Sequence, residues 1–149
     1  MKAMADFQAC TLFEHFGIPF DGFNGYDEKN DEHTRPSRLA HDVLLDKIED
    51  YFNDDAQEET KIHQTYKPPL FLQHYLHSLT VVGIEWREDG TRNLLVFDPL
   101  FRTPDGMLRL LDKRMSSSSM NGRLLHDVMR IYRRKVQYLA KYDGFETCL

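Results

Sequence analysis

The sequence predicts an α+β domain, a central antiparallel sheet with helices before and after it. Three observations carry this. Residues 67–100 contain β-branched and aromatic runs interrupted by one hairpin turn. Stretches on either side of them place apolar residues at helical spacing. The length, 149 residues, supplies one real core and is short for two, so a single domain over 1–149 is expected.

Residues 2–16 open the chain with a helical face of Met4, Phe7, Cys10 or Thr11, and Phe13 to Phe16, and Gly17 is placed to stop it. Ile18 to Phe23 is a short strand candidate, and Gly25 to Arg35 is polar enough to be a loop. Thr34 offers an N-cap and Pro36 a first-turn residue for a helix running to about Phe52, with Leu39, Val43, Leu44, Ile48 and Phe52 as its buried stripe. Asn53 to Thr60 is an acidic, solvated connection.

Pro68 and Pro69 favour extended backbone into the next stretch, because proline fixes φ and restricts the residue before it. Leu79 to Trp86 is rich in Val, Ile and Thr and reads as a strand. Glu88 to Thr91 is a hairpin turn in which Gly90 accepts the positive φ of a tight reversal. Asn93 to Phe97 is a second apolar strand, ended by Asp98-Pro99. Asp105 to Arg114 is a short helix from Pro104 with Met107, Leu110 and Leu111 inward, followed by a serine-rich link at 116–119. A further helix starts at Asn121 or Gly122. Its basic group Arg130, Arg133, Arg134 and Lys135 lies near the C-terminal end, where cations suit the helix dipole without an anionic partner. Val136 to Tyr142 alternates as a last strand.

Composition excludes several classes. A net charge of −5 and a pI near 5.8 are not those of a nucleic-acid surface. Apolar runs stay short of membrane-spanning length, and Asp6 and Glu14 do not suit a signal peptide. Two cysteines, Cys10 and Cys148, make no disulfide framework and fit a reducing compartment, the cytoplasm or nucleus.

Three constellations can carry chemistry. His74-x-x-His77 with Asp98 has some of the look of a metal site, but strand residues three apart point to opposite faces and no zinc-helix glutamate is present, so neither a metal nor any other cofactor is expected. His77 with Asp98 has the composition of a base and its orienting carboxylate, brought to one sheet edge by antiparallel pairing. The same pair also fits a purely structural contact. Cys10, on a helix face with only Lys2 as a basic neighbour, reads as a small buried hydrophobe.

The segment Pro68-Pro69-Leu70-Phe71-Leu72-Gln73-His74-x-x-His77-Ser78-x-Thr80-Val81-Val82-Gly83-Ile84-Glu85, followed by Leu94-Leu95-Val96-Phe97-Asp98-Pro99, resembles the papain-like cysteine proteases specific for ubiquitin-fold modifiers. It is more similar still to their zinc-finger-bearing deubiquitinase relatives. The modifier-specific branch typically reads Asp-Pro-His, whereas Leu100 stands at that position here. The resemblance implies a papain-like fold and isopeptide hydrolysis of ubiquitin or ubiquitin-like conjugates. It makes His77 and Asp98 catalytic, with Gln73 and His74 lining the substrate approach.

In that family the nucleophilic cysteine lies in a Gly-Cys-Gly-Tyr-like segment at a helix start, upstream of the region matched here. Neither Cys10 nor Cys148 falls at that position. The resemblance therefore implies the His/Asp-bearing C-terminal part of such a domain. Two other readings stand beside it, a modifier-binding module without chemistry and a structural protein.

Overall fold

A computed structural model of the chain describes residues 15–17, 24–26, 38–53, 62–75, 77–112 and 122–148. Within them, strands β1 (Asn24–Tyr26), β2 (Leu70–His74), β3 (His77–Trp86), β4 (Arg92–Phe97), β5 (Arg133–Lys135) and β6 (Gly144–Cys148) form one antiparallel sheet of order β1-β6-β2-β3-β4-β5. The helices are α1 (Ala40–Asn53), α2 (Asp105–Asp112), α3 (Gly122–Met129), continued as a 3-10 turn over Arg130–Tyr132, and the single turn α4 (Val136–Leu139). The α+β class is as expected.

Alternation decides which face of the sheet is apolar. Leu70 and Leu72 on β2 stand opposite Val81 and Leu79 on β3, and Val81 stands opposite Val96 on β4. All are buried. Period-two side-chain direction carries this face across the sheet, and α1 covers it with Ala40, Leu44, Leu45, Ile48 and Phe52. Leu139 and Phe145 complete the core. Burying a leucine or isoleucine side chain of this kind stabilises by roughly 1.5–3 kcal/mol relative to leaving it exposed. Charge ties the helix to the hairpin. Arg92 Nη1 donates to Asp46 Oδ1 at 2.6 Å and Glu49 Oε2 at 3.0 Å.

The β3–β4 hairpin turns where Gly90 adopts φ +77°. The Gly90 amide donates to the Arg87 carbonyl, the Arg87 amide to the Thr91 carbonyl, and Asp89 Oδ1 accepts both the amide and the hydroxyl of Thr91. A register shift between Val81 and Gly83 marks a bulge in β3. Helix α2 starts as expected behind Pro104, whose carbonyl accepts the Met107 and Leu108 amides. A Cβ added at Gly106 would lie 2.9 Å from Val128 Cγ2, so this glycine permits the close approach of α2 and α3.

Several expectations need correction. Gly25 and Tyr26, expected as the start of a loop, belong with Asn24 to a strand pairing with β6, because the sheet edge supplies hydrogen bonds that local polarity does not reveal. Helix α1 begins at Ala40; Arg38 and Leu39 are not helical, and Leu39 is exposed while His41 and Leu45 are buried. The actual buried stripe is therefore one residue out of phase with the expected one at its start. Val136 to Tyr142 is not a strand. Val136 and Leu139 have helical spacing, and burial of Leu139 closes one helical turn, with Gly144–Cys148 supplying the last strand. His15 is helical and Gly17 has φ +63°, as its stop role requires. The rest of the first helix with Cys10, the Ile18–Phe23 strand, the cap at Thr34 and Pro36, and the serine link lie outside the described residues.

Candidate active site

His74 is the last residue of β2 and His77 the first of β3, so the two histidines are cross-strand partners around a two-residue turn. This corrects the sequence argument that put them on opposite faces: that rule holds within one strand, and the strand ends between them. Directly opposed residues share a face, and the ring centroids lie 5.5 Å apart. Tyr75 in the turn has φ +20°, an uncommon value for a non-glycine residue.

Asp98 follows the last residue of β4. Alternation from Leu94 and Val96 aims it at the same face as the two histidines. Its side chain is 3% exposed and accepts three hydrogen bonds. His77 Nε2 meets Oδ2 at 3.1 Å, the Leu100 amide donates to Oδ1 at 2.9 Å, and Arg134 donates to Oδ2. Burial pushes the Asp98 carboxyl up, but the Leu100 amide, His77 and Arg134 outweigh it and hold the group below the usual carboxylate range. An ionised Asp98 can only accept, so the proton of a neutral His77 sits on Nε2. Nδ1 then carries the free lone pair, and it has no partner among the described residues.

Arg134 was the residue that sequence reasoning missed. The basic group was read as complementing a helix dipole, yet Arg133 and Arg134 stand in β5. Arg134 lies opposite Leu94 on the core-side face, and Arg133 lies opposite Leu95 on the other face, forking onto Glu85 at 2.8 and 2.6 Å. Arg134 is 7% exposed. Its Nη1 donates to the Ile131 carbonyl at 2.8 Å, and its guanidinium lies over the rings of Phe101 and Tyr138. The signal existed as a period-two choice between adjacent arginines, but it needed the register of a three-residue strand.

His74 is buried against Tyr138, Tyr142 and Phe145. Its Nε2 shares a 3.0 Å hydrogen bond with the Tyr138 hydroxyl, and its Nδ1 is buried without a partner. Burial, helped by the nearby positive charge of Arg134 and by His77, depresses its pKa to about 4, so it is neutral at physiological pH. Burial and the Tyr142 hydroxyl push the Tyr138 phenol up to about 12. Gln73, next to His74, lies opposite Ser78 on β3 and Glu146 on β6. No cluster of three or more His, Cys, Asp or Glu suited to a metal occurs among the described residues. Cys148 is buried opposite Phe71, toward the far end of β2 from His74. A pocket lined by Phe97, Asp98, Phe101, Thr103, Ile131 and Tyr132 lies beside the carboxylate.

An imidazole with one nitrogen on a buried carboxylate and the other without a partner among the described residues is an arrangement that general-base chemistry can use. In comparison with known proteins, residues 7–148 match the family described as peptidase family C78, and the chain belongs to that family. Among curated relatives, the zinc finger-containing ubiquitin peptidase 1 of Mus musculus is 38% identical over 101 residues, 68% of this chain and 17% of the relative. That of Rattus norvegicus is 40% identical over 87 residues, 58% of this chain and 15% of the relative. That of Homo sapiens is 33% identical over 101 residues, 68% of this chain and 17% of the relative. The chain thus spans between 15% and 17% of the length of these relatives.

Proposed function

We propose that this chain carries the His/Asp part of a thiol-dependent protease, of papain-like fold, that hydrolyses isopeptide bonds of ubiquitin or a ubiquitin-like modifier. The observation that carries the reading is the disposition of His77, with Nε2 on Asp98 and Nδ1 without a partner among the described residues. Family membership and the printed names of the relatives support the substrate class.

The chemistry follows from that disposition. His77 Nδ1 accepts the proton of a cysteine thiol supplied from outside the described residues. The thiolate attacks the carbonyl carbon of the isopeptide bond and forms a tetrahedral oxyanion. Its collapse breaks the C–N bond, and His77 returns the proton to the departing lysine amine. Water, deprotonated by the same nitrogen, then cleaves the thioester and frees the modifier's carboxylate. Asp98 stays ionised and stabilises the imidazolium that forms in between. Buried His74 supports the His77 ring, while alternation along β2 turns Gln73 to the other face of the sheet.

The test is cleavage of modifier conjugates by the protein as its own cell produces it. His77→Ala abolishes turnover, and Asp98→Asn lowers kcat on the order of 10⁴-fold, because an amide can donate to Nε2 and leave the proton on the wrong nitrogen. Wild-type turnover in either variant contradicts the reading. A second reading, a modifier-binding module without chemistry, draws on the burial of Cys148, the described thiol, opposite Phe71. Modifier binding without any turnover by the cell-produced protein selects it.

A further inference from the structure

Asp98 needs a reason to stay ionised where it is. A side chain 3% exposed loses most of its hydration, and a buried carboxylate answers by taking up a proton unless donors replace the lost water. The Leu100 amide replaces it at Oδ1. At Oδ2 two donors converge, His77 Nε2 and the Arg134 guanidinium. His77 contributes to holding the carboxylate ionised but does not by itself fix its charge, because a neutral imidazole can present either a proton or a lone pair there. Arg134 does: its charge is permanent and it only donates.

Arg134 is also held independently of Asp98. The Ile131 carbonyl accepts from Nη1 at 2.8 Å, and the Phe101 and Tyr138 rings flank the guanidinium at 5.1 and 5.4 Å from their centroids. A buried ion pair is weak support for stability on its own, since two desolvation costs offset the attraction. Placing one beside a catalytic-type imidazole calls for another account. The remaining titratable groups of the cluster are His74 on β2 and Tyr138 on α4, hydrogen-bonded to each other, and Tyr142, packed against both. His74 and Tyr138 are neutral at physiological pH, and Lys141 lies over the Tyr138 ring at 5.9 Å from its centroid, so the guanidinium is the cation in direct contact with the carboxylate.

We propose that Arg134 is a positioning residue that sets the tautomer of His77. By keeping the Oδ2 acceptor ionised, it requires the imidazole proton to sit on Nε2 and leaves Nδ1 as the base. Without the cation, a protonated Asp98 donates to Nε2, the ring proton moves to Nδ1, and the basic lone pair turns away from any nucleophile. This rests on the protease reading for its consequence in catalysis, though the tautomer itself can be read without turnover.

The experiment is nitrogen-15 NMR of the histidine rings in the full chain, alongside modifier-conjugate cleavage by the cell-produced protein. The expected wild-type signature is an Nε2–H tautomer for His77. Arg134→Gln moves the ring to the Nδ1–H form and lowers kcat roughly 10- to 100-fold with KM unchanged. Arg134→Lys, which keeps the charge, retains the Nε2–H form and most of the turnover. An unchanged tautomer in Arg134→Gln overturns the proposal. So does loss of the Nε2–H form in a folded Arg134→Lys, or an Nδ1–H form in the unmutated chain, which keeps the test open should the Gln variant not fold. Expected tautomers without any cleavage overturn the protease reading and leave the role of Arg134 standing. Cleavage unaffected by Arg134→Gln does the reverse.

Discussion

Two regions of the molecule deliver a charged or basic side chain to one carboxylate, and they do it by opposite physics. The β2–β3–β4 meander brings His77 to Asp98 through local rules. Proline precedes β2, Gly90 takes the positive φ of the turn, and alternation of Leu94, Val96 and Asp98 fixes the face. The segment from Arg130 to Tyr142 brings Arg134 there through tertiary demand. It changes from 3-10 turn to strand to helix turn within a dozen residues, each element too short to declare itself. The first region is specified by its own sequence and the second by what it packs against.

The strongest way to break this comparison is to remove the anchor of the second region. Leu139 is fully buried and pins the turn that follows β5. Leu139→Ala should cost about 2–5 kcal/mol in denaturant unfolding and displace Arg134 from Asp98, with loss of the His77 signature. A cost below about 1 kcal/mol would show that β5 is held by its own pairing instead.

A smaller effect sharpens the contrast on the β2 side. The pKa of His74 falls from its ordinary 6.5 to about 4 in the folded chain, so the unfolded chain binds more protons between those values. The stability from keeping it neutral is fully present above pH 6.5 and is lost as the pH falls toward about 4. Unfolding midpoints measured across that window should decline, and His74→Phe should flatten the decline while removing an unpartnered buried nitrogen. An equal slope in the variant would assign the acid limb to other groups.

The smallest effect concerns the turn alone. Gly90→Ala places a Cβ at φ +77° and should cost about 1–2 kcal/mol, leaving Asp98 and His77 where they are. A change in the site would mean that the hairpin is less autonomous than its local signals suggest.

The same division explains what was legible in the sequence. The hairpin, the end of β4 at Asp98-Pro99 and the start of α2 behind Pro104 follow from residue types whose backbone preferences are strong. The face shared by His74 and His77 was misjudged because the two-residue turn at Tyr75 was not seen, and period two was applied across a reversal. Most of β1 fell in the stretch expected as loop, since Asn24–Tyr26 is a strand only because β6 lies beside it. Arg134 was hidden among four basic residues whose average suits a helix end, while their individual fates depend on the register of β5 against β4. Burial of Leu139 competed with the alternation of Val136 to Tyr142 and won.

The central claim is that His77 serves a thiol outside the described residues. The direct measurement is to treat the cell-produced protein with ubiquitin or a ubiquitin-like modifier bearing a thiol-reactive group at its C-terminus, then locate the adduct by peptide mass. The account predicts an adduct on a cysteine other than Cys10 and Cys148, formed by the wild type and lost in His77→Ala. An adduct on Cys148, or the same labelling in His77→Ala, would contradict it.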